Sequence, residues 1–440
     1  MKLTKKLIPL LLLCVLPGLQ AQDLIAVYQL AAKNDPQLQA AREQVSVARE
    51  GKNVSRSQLL PTIGLGATYD AVHSDLKTRF GQPVDDGTSN YNQSNLGLSL
   101  TQPLYRRNFL VQLEQADSTI AQAEAQLAAA QINLMQRSAN AYFNILSSED
   151  DLRVAQAERE ATGRQLEQAQ QRFDVGLIAI TDVHEAQAAF DAARASEIAA
   201  ENSLDNAWEA LFEIIGPEPK QPLATLGDGL QMLPPVPNDL QQWSDTAQEQ
   251  NFDIIASRSS LESVRQNIEV SRSGHYPTLD LVGGYSMNRT DNDFGSEADT
   301  GTIGLELNLP LYAGGGVTAS TEQSRASYRA AQSNLDQTRR AVNRQVRDAF
   351  RGVLSTISRV EALKAATVSA KSALESTQAG YEVGTRTIVD VLNVQRNLFS
   401  SQRDYLRSRY DYIINGLALK SAAGTLGEED LQRVNGWLER

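Results

Sequence analysis

The stretch Phe173-Asp174-Val175-Gly176-Leu177-Ile178-Ala179-Ile180-Thr181-Asp182-Val183 is answered later in the chain by Tyr381-Glu382-Val383-Gly384-Thr385-Arg386-Thr387-Ile388-Val389-Asp390-Val391. The register continues outward in both directions. Gln102-Pro103-Leu104-Tyr105 matches Leu309-Pro310-Leu311-Tyr312, Leu60-Pro61-Thr62 matches Tyr276-Pro277-Thr278, and Asn34-Asp35-Pro36 matches Asn251-Phe252-Asp253. The chain therefore reads as one unit carried twice. Two copies are too few for a stacked solenoid, which needs about three.

Within each copy the periodicity changes character. Ile63, Leu65, Ala67 and Tyr69 alternate with small or polar residues, as do Leu96, Leu98 and Leu100 in the following run. Leu279 and Leu281, then Ile303, Leu305, Leu307 and Leu309, do the same in the second copy. A period of two predicts β-hairpins, at 61–102 and 277–309, with prolines 61, 103, 277 and 310 at strand ends, where a missing N–H does least harm. Their connections, near 73–93 and 288–301, are polar and long.

Beyond each hairpin the period becomes helical. Leu113, Ile120, Leu127, Leu134 and Ala141 recur every seven residues, as do Val346, Val353, Val360 and Leu374 in the second copy. These heptads predict long helices at 105–173 and 314–381, the first reaching about 100 Å at a rise of roughly 1.5 Å per residue. Helices return at 181–215 and 388–424. A single shorter helix is expected before each hairpin, at 23–58 and 239–273. The resulting divisions are repeat 1 at 22–215, a proline-rich connector at 216–238, repeat 2 at 239–424 and a C-terminal segment at 425–440.

The first residues, Met-Lys-Leu-Thr-Lys-Lys followed by an apolar run from Leu7 to Leu16 and a Pro17-Gly18 break, read as a secretory signal over residues 1–21. Cys14, the one cysteine, lies within it, so the exported chain is expected to have neither disulfides nor thiolate chemistry. A net charge of −12 with a pI near 5.0 speaks against a nucleic-acid partner. With 21% charged residues and a mean hydropathy of −0.35, the chain is too polar for a bundle of membrane helices.

Strands with one apolar and one small or polar face, in an exported chain, are the pattern of an outer-membrane barrel wall. Four strands cannot close a barrel, because lipid tolerates no open sheet edge. Two chains would give about eight strands, a barrel filled by its own side chains, whereas three give about twelve and leave a lumen. The expected fold is thus an α + β membrane protein, with a trimeric β-barrel and long coiled-coil helices.

The strand exit Pro310-Leu311-Tyr312-Ala313-Gly314-Gly315 and the turn Tyr381-Glu382-Val383-Gly384-Thr385-Arg386-Thr387 resemble the TolC family of outer-membrane efflux and type I secretion ducts, and the likeness covers the chain after its signal. It implies a homotrimer in outer-membrane lipid whose helices continue the strands as a helical coiled-coil barrel, a periplasmic tunnel, and places 216–238 and 425–440 in an equatorial region. It further implies docking of a periplasmic adaptor (membrane-fusion) protein and an inner-membrane pump of RND, ABC or MFS type, which selects the cargo.

Gly176 and Gly384 suit the left-handed position that ends a helix, and Thr181 or Thr387 the cap of the next one. The resemblance implies that Tyr381 and Arg386 bond to Thr181 and Asp182 and latch a periplasmic iris. In a trimer, three copies of Asp390 form an acidic ring at the pore entrance. The family's second ring is replaced here by Asn393.

No catalytic residues, cofactor or metal site are expected. His73, His184 and His275 lie in unrelated places, and there is no Walker loop or nucleophile elbow, so the reading is not an enzyme. The alternative is a non-conducting coiled-coil spacer of the cell envelope.

Overall fold

The computed structural model describes residues 21–75, 78–79, 82–83, 88–217, 219–227, 229–291 and 295–439. The signal reading, with Cys14, falls on residues 1–20, outside the described residues, as do parts of the two hairpin connections. The described residues form two compact units, one from within 40–128 and 252–341, the other from within 1–39, 129–251 and 342–440.

The first unit is built on a four-stranded antiparallel sheet of β1 (Thr62–Asp75), β4 (Thr88–Tyr105), β6 (Thr278–Asp291) and β7 (Ser296–Asn308), in the order β1-β4-β6-β7. Two short strands, β2 (Thr78–Arg79) and β3 (Gln82–Pro83), pair with each other in the first connection. Pairing of β4 with β6 joins the hairpins, and β1 and β7 are left as open edges. Register places Ile63 opposite Leu100, Leu100 opposite Gly283 and Gly283 opposite Ile303. Leu65, Leu98 and Tyr285 form the adjacent row.

One face is therefore apolar across four strands, and it is uncovered in the chain, with Leu65 74% and Ile303 79% exposed. The other face carries Thr101, Ser99, Asn95, Asn288 and Glu306, and Asn95 donates to Asn288 across the β4–β6 pair. Where β4 ends, Arg106 grips Asp280 of β6 with two bonds, Nε to Oδ1 at 3.0 Å and Nη2 to Oδ2 at 2.6 Å. Below the strands, Val45 and Ala48 of α2 (Pro36–Ser57) pack on Ala123 of α3 (Arg107–Asp174), with Ile120 and Leu127 of the same seam beside them.

In the second unit, α3 is followed by α4 (Ile180–Ile215), and α7 (Gly316–Glu382) by α8 (Ile388–Ala423). Around their inner ends lie α1 (Leu24–Asn34), α5 (Leu240–Gln250) and α9 (Glu428–Asn435); α6 (Phe252–Arg272) follows α5 into the other unit. Tyr142, Phe143, Ile145, Leu211, Leu419 and Leu431 are among its fully buried side chains. Tyr142 donates to the Ala224 carbonyl at 2.7 Å, and Tyr410 to the Asp150 carboxylate at 2.7 Å. Burial pushes both phenols far above their ordinary pKa. Glu158 of α3 faces Arg403 of α8 at 3.5 Å, and burial raises its carboxyl pKa against the pull of Arg403 and Arg396.

Two local features differ from the sequence reading. The helices expected unbroken over 23–58 and 239–273 are each split, at Asp35 and at Asn251, where ψ turns to 120° and 123°. Proline at 36 drives its predecessor out of the helical region, and the Asp35 carboxylate then accepts from Leu38 N–H at 2.7 Å, starting α2 afresh. Asn251 instead spends its side chain on the Ala422 carbonyl, at 3.0 Å. Within the expected irregular connector, β5 (Thr225–Leu226) pairs with β8 (Leu438–Glu439), and Gln22 bridges Leu223. The two outer segments of the sequence are thereby tied to the connector by backbone hydrogen bonds.

Candidate functional site at the helix-end turns

Helices α3 and α7 both end in a turn whose glycine has positive φ, +76° at Gly176 and +79° at Gly384. In each, the following N–H reaches back to close the last helical turn: Leu177 to Arg172 O and Thr385 to Gly380 O, both at 2.8 Å. Four intrahelical carbonyls at such an end lack partners, and this closure satisfies some of them.

From there the turns diverge. The first is closed by apolar packing, with Phe173, Ile178 and Leu166 against Ala169, Val183 and Ala186. Its helix α4 begins after Ala179 with no side-chain cap; Thr181 lies inside the first helical turn rather than at the cap. The second turn is closed by polar bonds. Thr387 caps α8: its Oγ1 accepts from Asp390 N–H at 3.2 Å, and the Asp390 carboxylate accepts from Thr387 N–H and from its hydroxyl, each at 3.0 Å. Those bonds hold the Asp390 carboxyl below its ordinary pKa. Asn393 lies one turn on in α8.

Arg386 folds back over Gly380, whose absent side chain makes room: a Cβ there would stand 2.8 Å from Arg386 Cγ. Its backbone N–H donates to Gly380 O at 3.2 Å. Tyr381 is not bonded to Thr181 or Asp182; its hydroxyl is enclosed and has no hydrogen-bond partner among the described residues. Over the Tyr381 ring lies the guanidinium of Arg172, 4.8 Å from the centroid. A polar cleft of about 490 Å³ opens beside this pair, lined by Gln168, Gln171, Arg172, Gln378, Glu382 and Val391.

Arg172 and Gly380 are the residues that motif reading passed over. Their signal is in the paired stretches themselves: extending the alignment one position before Phe173 and Tyr381 sets Arg172 against Gly380. One copy places its arginine before the turn and the other after it.

The chain has known relatives. The family model described as "Outer membrane efflux protein" matches residues 27–217 and 243–425. The chain is 41% identical to the outer membrane protein TolC of Vibrio cholerae over 444 aligned residues, covering 99% of both chains. It is 28% identical to the alkaline protease secretion protein AprF of Pseudomonas aeruginosa, over 94% of this chain and 87% of that one. Among solved structures, the CmeC outer membrane channel of Campylobacter jejuni superposes with a TM-score of 0.80 at 18% identity, covering 96% of this chain and 91% of that one. A chain matched in both halves by that family model, and along its whole length by such a relative, is an outer-membrane protein of the outer membrane efflux protein family, in its TolC branch.

Proposed function

We propose that three copies of this outer-membrane exit duct, which serves efflux and type I secretion, close their sheets into one twelve-stranded barrel, and that the helix-end turns are its periplasmic gate. The observation that carries the barrel is the four-stranded sheet with two open edges and an uncovered apolar face. An open edge and unpaired backbone groups are not tolerated in lipid, so β1 of one copy must meet β7 of the next. The leucine face then meets lipid, and Thr101, Ser99 and Glu306 face the lumen. The repeated order of hairpin, long helix and return helix, together with the twofold family match, supports duplication of one module.

The gate latch joins Tyr381 and Arg386 to Thr181 and Asp182. What supports it is the enclosed, unpartnered Tyr381 hydroxyl: an unmet buried donor costs about 1–3 kcal/mol, which a carboxylate acceptor recovers. Charge-assisted bonds of this kind fix a closed state, and a periplasmic adaptor with its inner-membrane pump opens the duct by binding the open conformation better. Three Asp390 carboxylates around the axis form an acidic ring at the entrance.

Reconstitution in planar bilayers tests this. The purified protein should conduct ions with low single-channel conductance, and Arg386→Ser combined with Tyr381→Phe should raise it. A protein that does not conduct at all is a spacer and not a duct; a conductance left unchanged by the pair removes the latch.

A further inference from the structure

We infer that Arg172 is a positioning residue of the gate, holding the end of α7 against the end of α3 by stacking its guanidinium on the Tyr381 ring. This inference rests on the gate reading above and adds to it a contact formed by the ring, separate from any bond made by the hydroxyl. Three observations converge on it. The guanidinium lies 4.8 Å from the ring centroid, inside the range of about 6 Å over which a cation is drawn to an aromatic face. Arg172 forms no ion pair among the described residues, although Glu167 and Glu382 line the same cleft, so its charge is directed at the ring. The ring's own hydroxyl is unpaired, so no hydrogen bond there holds Tyr381 in place.

The two turns explain why the contact exists only once. Where α3 carries Arg172, the paired position in α7 is Gly380, which must be bare because Arg386 folds over it. Where α3 carries Phe173, packed among Leu166, Ile178 and Val183, α7 carries Tyr381. The apolar turn lends its cation to the aromatic ring of the polar turn. The two helix ends are then joined by a contact that requires no particular rotation of the hydroxyl. In that role Arg172 sets the resting separation across which the latch bonds form.

The test is a set of single-channel conductances in planar bilayers, with oligomer integrity and thermal stability checked for each variant. Arg172→Gln should raise the open-to-closed ratio, read as the time-averaged conductance, about two- to five-fold, the factor that a cation–π contact at a part-exposed site supports. Arg172→Lys, which keeps a cation over the ring, should stay near wild type. Against Tyr381→Phe, which keeps the ring, Arg172→Gln should still add its full factor; against Tyr381→Leu it should add nothing. If Arg172→Gln adds as much on Tyr381→Leu as on wild type, the arginine acts elsewhere and the clamp is overturned. If Arg172→Gln conducts like wild type while Arg386→Ser opens the channel, the clamp fails and the gate stands. If Arg172→Gln, Tyr381→Phe and Arg386→Ser are all silent, the gate itself is elsewhere and the clamp falls with it.

Discussion

The guanidinium of Arg137 forks onto the carboxylate of Asp35, with Nη1 and Nη2 each 3.0 Å from an oxygen, and Asp35 is only 1% exposed. One residue thus ends α1, through its backbone N–H to the Ala31 carbonyl, while its carboxylate starts α2 and ties it to the middle of α3. Removing the arginine strands a buried charge. Arg137→Ala should destabilise the unit by about 3 kcal/mol, while the joint change Arg137→Met with Asp35→Asn should cost less than the single one. Thermal midpoints of the detergent-solubilised variants check this, and equal losses for both would contradict it.

Asp390 should titrate below the ordinary carboxylate range, because the Thr387 N–H and hydroxyl bond its charged form. A carboxyl whose folded pKa is depressed contributes stability above its unfolded pKa and loses it as pH falls through the folded one. The capping box therefore holds at neutral pH and loosens only in acid. Carboxyl NMR on the protein should show the Asp390 midpoint rising when Thr387 is changed to Val; a midpoint indifferent to that change would disprove the assignment.

If the Asp390 carboxylates ring the entrance, multivalent cations added on the periplasmic side should block the channel, and Asp390→Ala should weaken that block. With Asn393 in place of a second acid, one substitution should remove most of it. Block that survives Asp390→Ala undiminished takes the residue out of the entrance.

Gly424 and Gly176 both have positive φ, +77° and +76°, yet their tolerance should differ. A Cβ on Gly424 would stand 2.4 Å from the Gln250 carbonyl oxygen, whereas one on Gly176 meets open space. Gly176→Ala should cost only the left-handed strain of about 1–2 kcal/mol. Gly424→Ala adds a backbone collision and should lower the thermal midpoint well beyond it. Similar midpoints for the two variants would refute the close approach.

On the sheet, neighbouring residues should respond oppositely to charge. Leu98→Arg places a cation on the apolar face, at a cost of about 2–4 kcal/mol near the bilayer centre, while Ser99→Lys places one on the polar face. The amount of each variant recovered as assembled protein from outer membranes reads this out. Equal recovery would mean that the leucine face does not meet lipid.

The amino-acid sequence determined the long helices and the period-two strands, because each is periodic over two to seven residues, and it determined both turns because one stretch is copied by the other. Leu113 to Ala141 and Ile63 to Tyr69 announce their elements without reference to anything distant. Thr387 was legible as a cap from its place after the turn, whereas the bond of Asp390 back to it showed only in the structure. Only the tertiary structure decided that β4 pairs with β6, that β5 finds β8 near the other end of the chain, and that Arg172 comes to rest on Tyr381. Those contacts join residues remote in sequence, and they depend on how α3 and α7 pack and on which rotamers the packing leaves open, for which no periodicity speaks. Asp35 stands between the two: the proline after it was a signal of the break that the single-helix expectation passed over, and the arginine that holds its carboxylate lies 102 residues away.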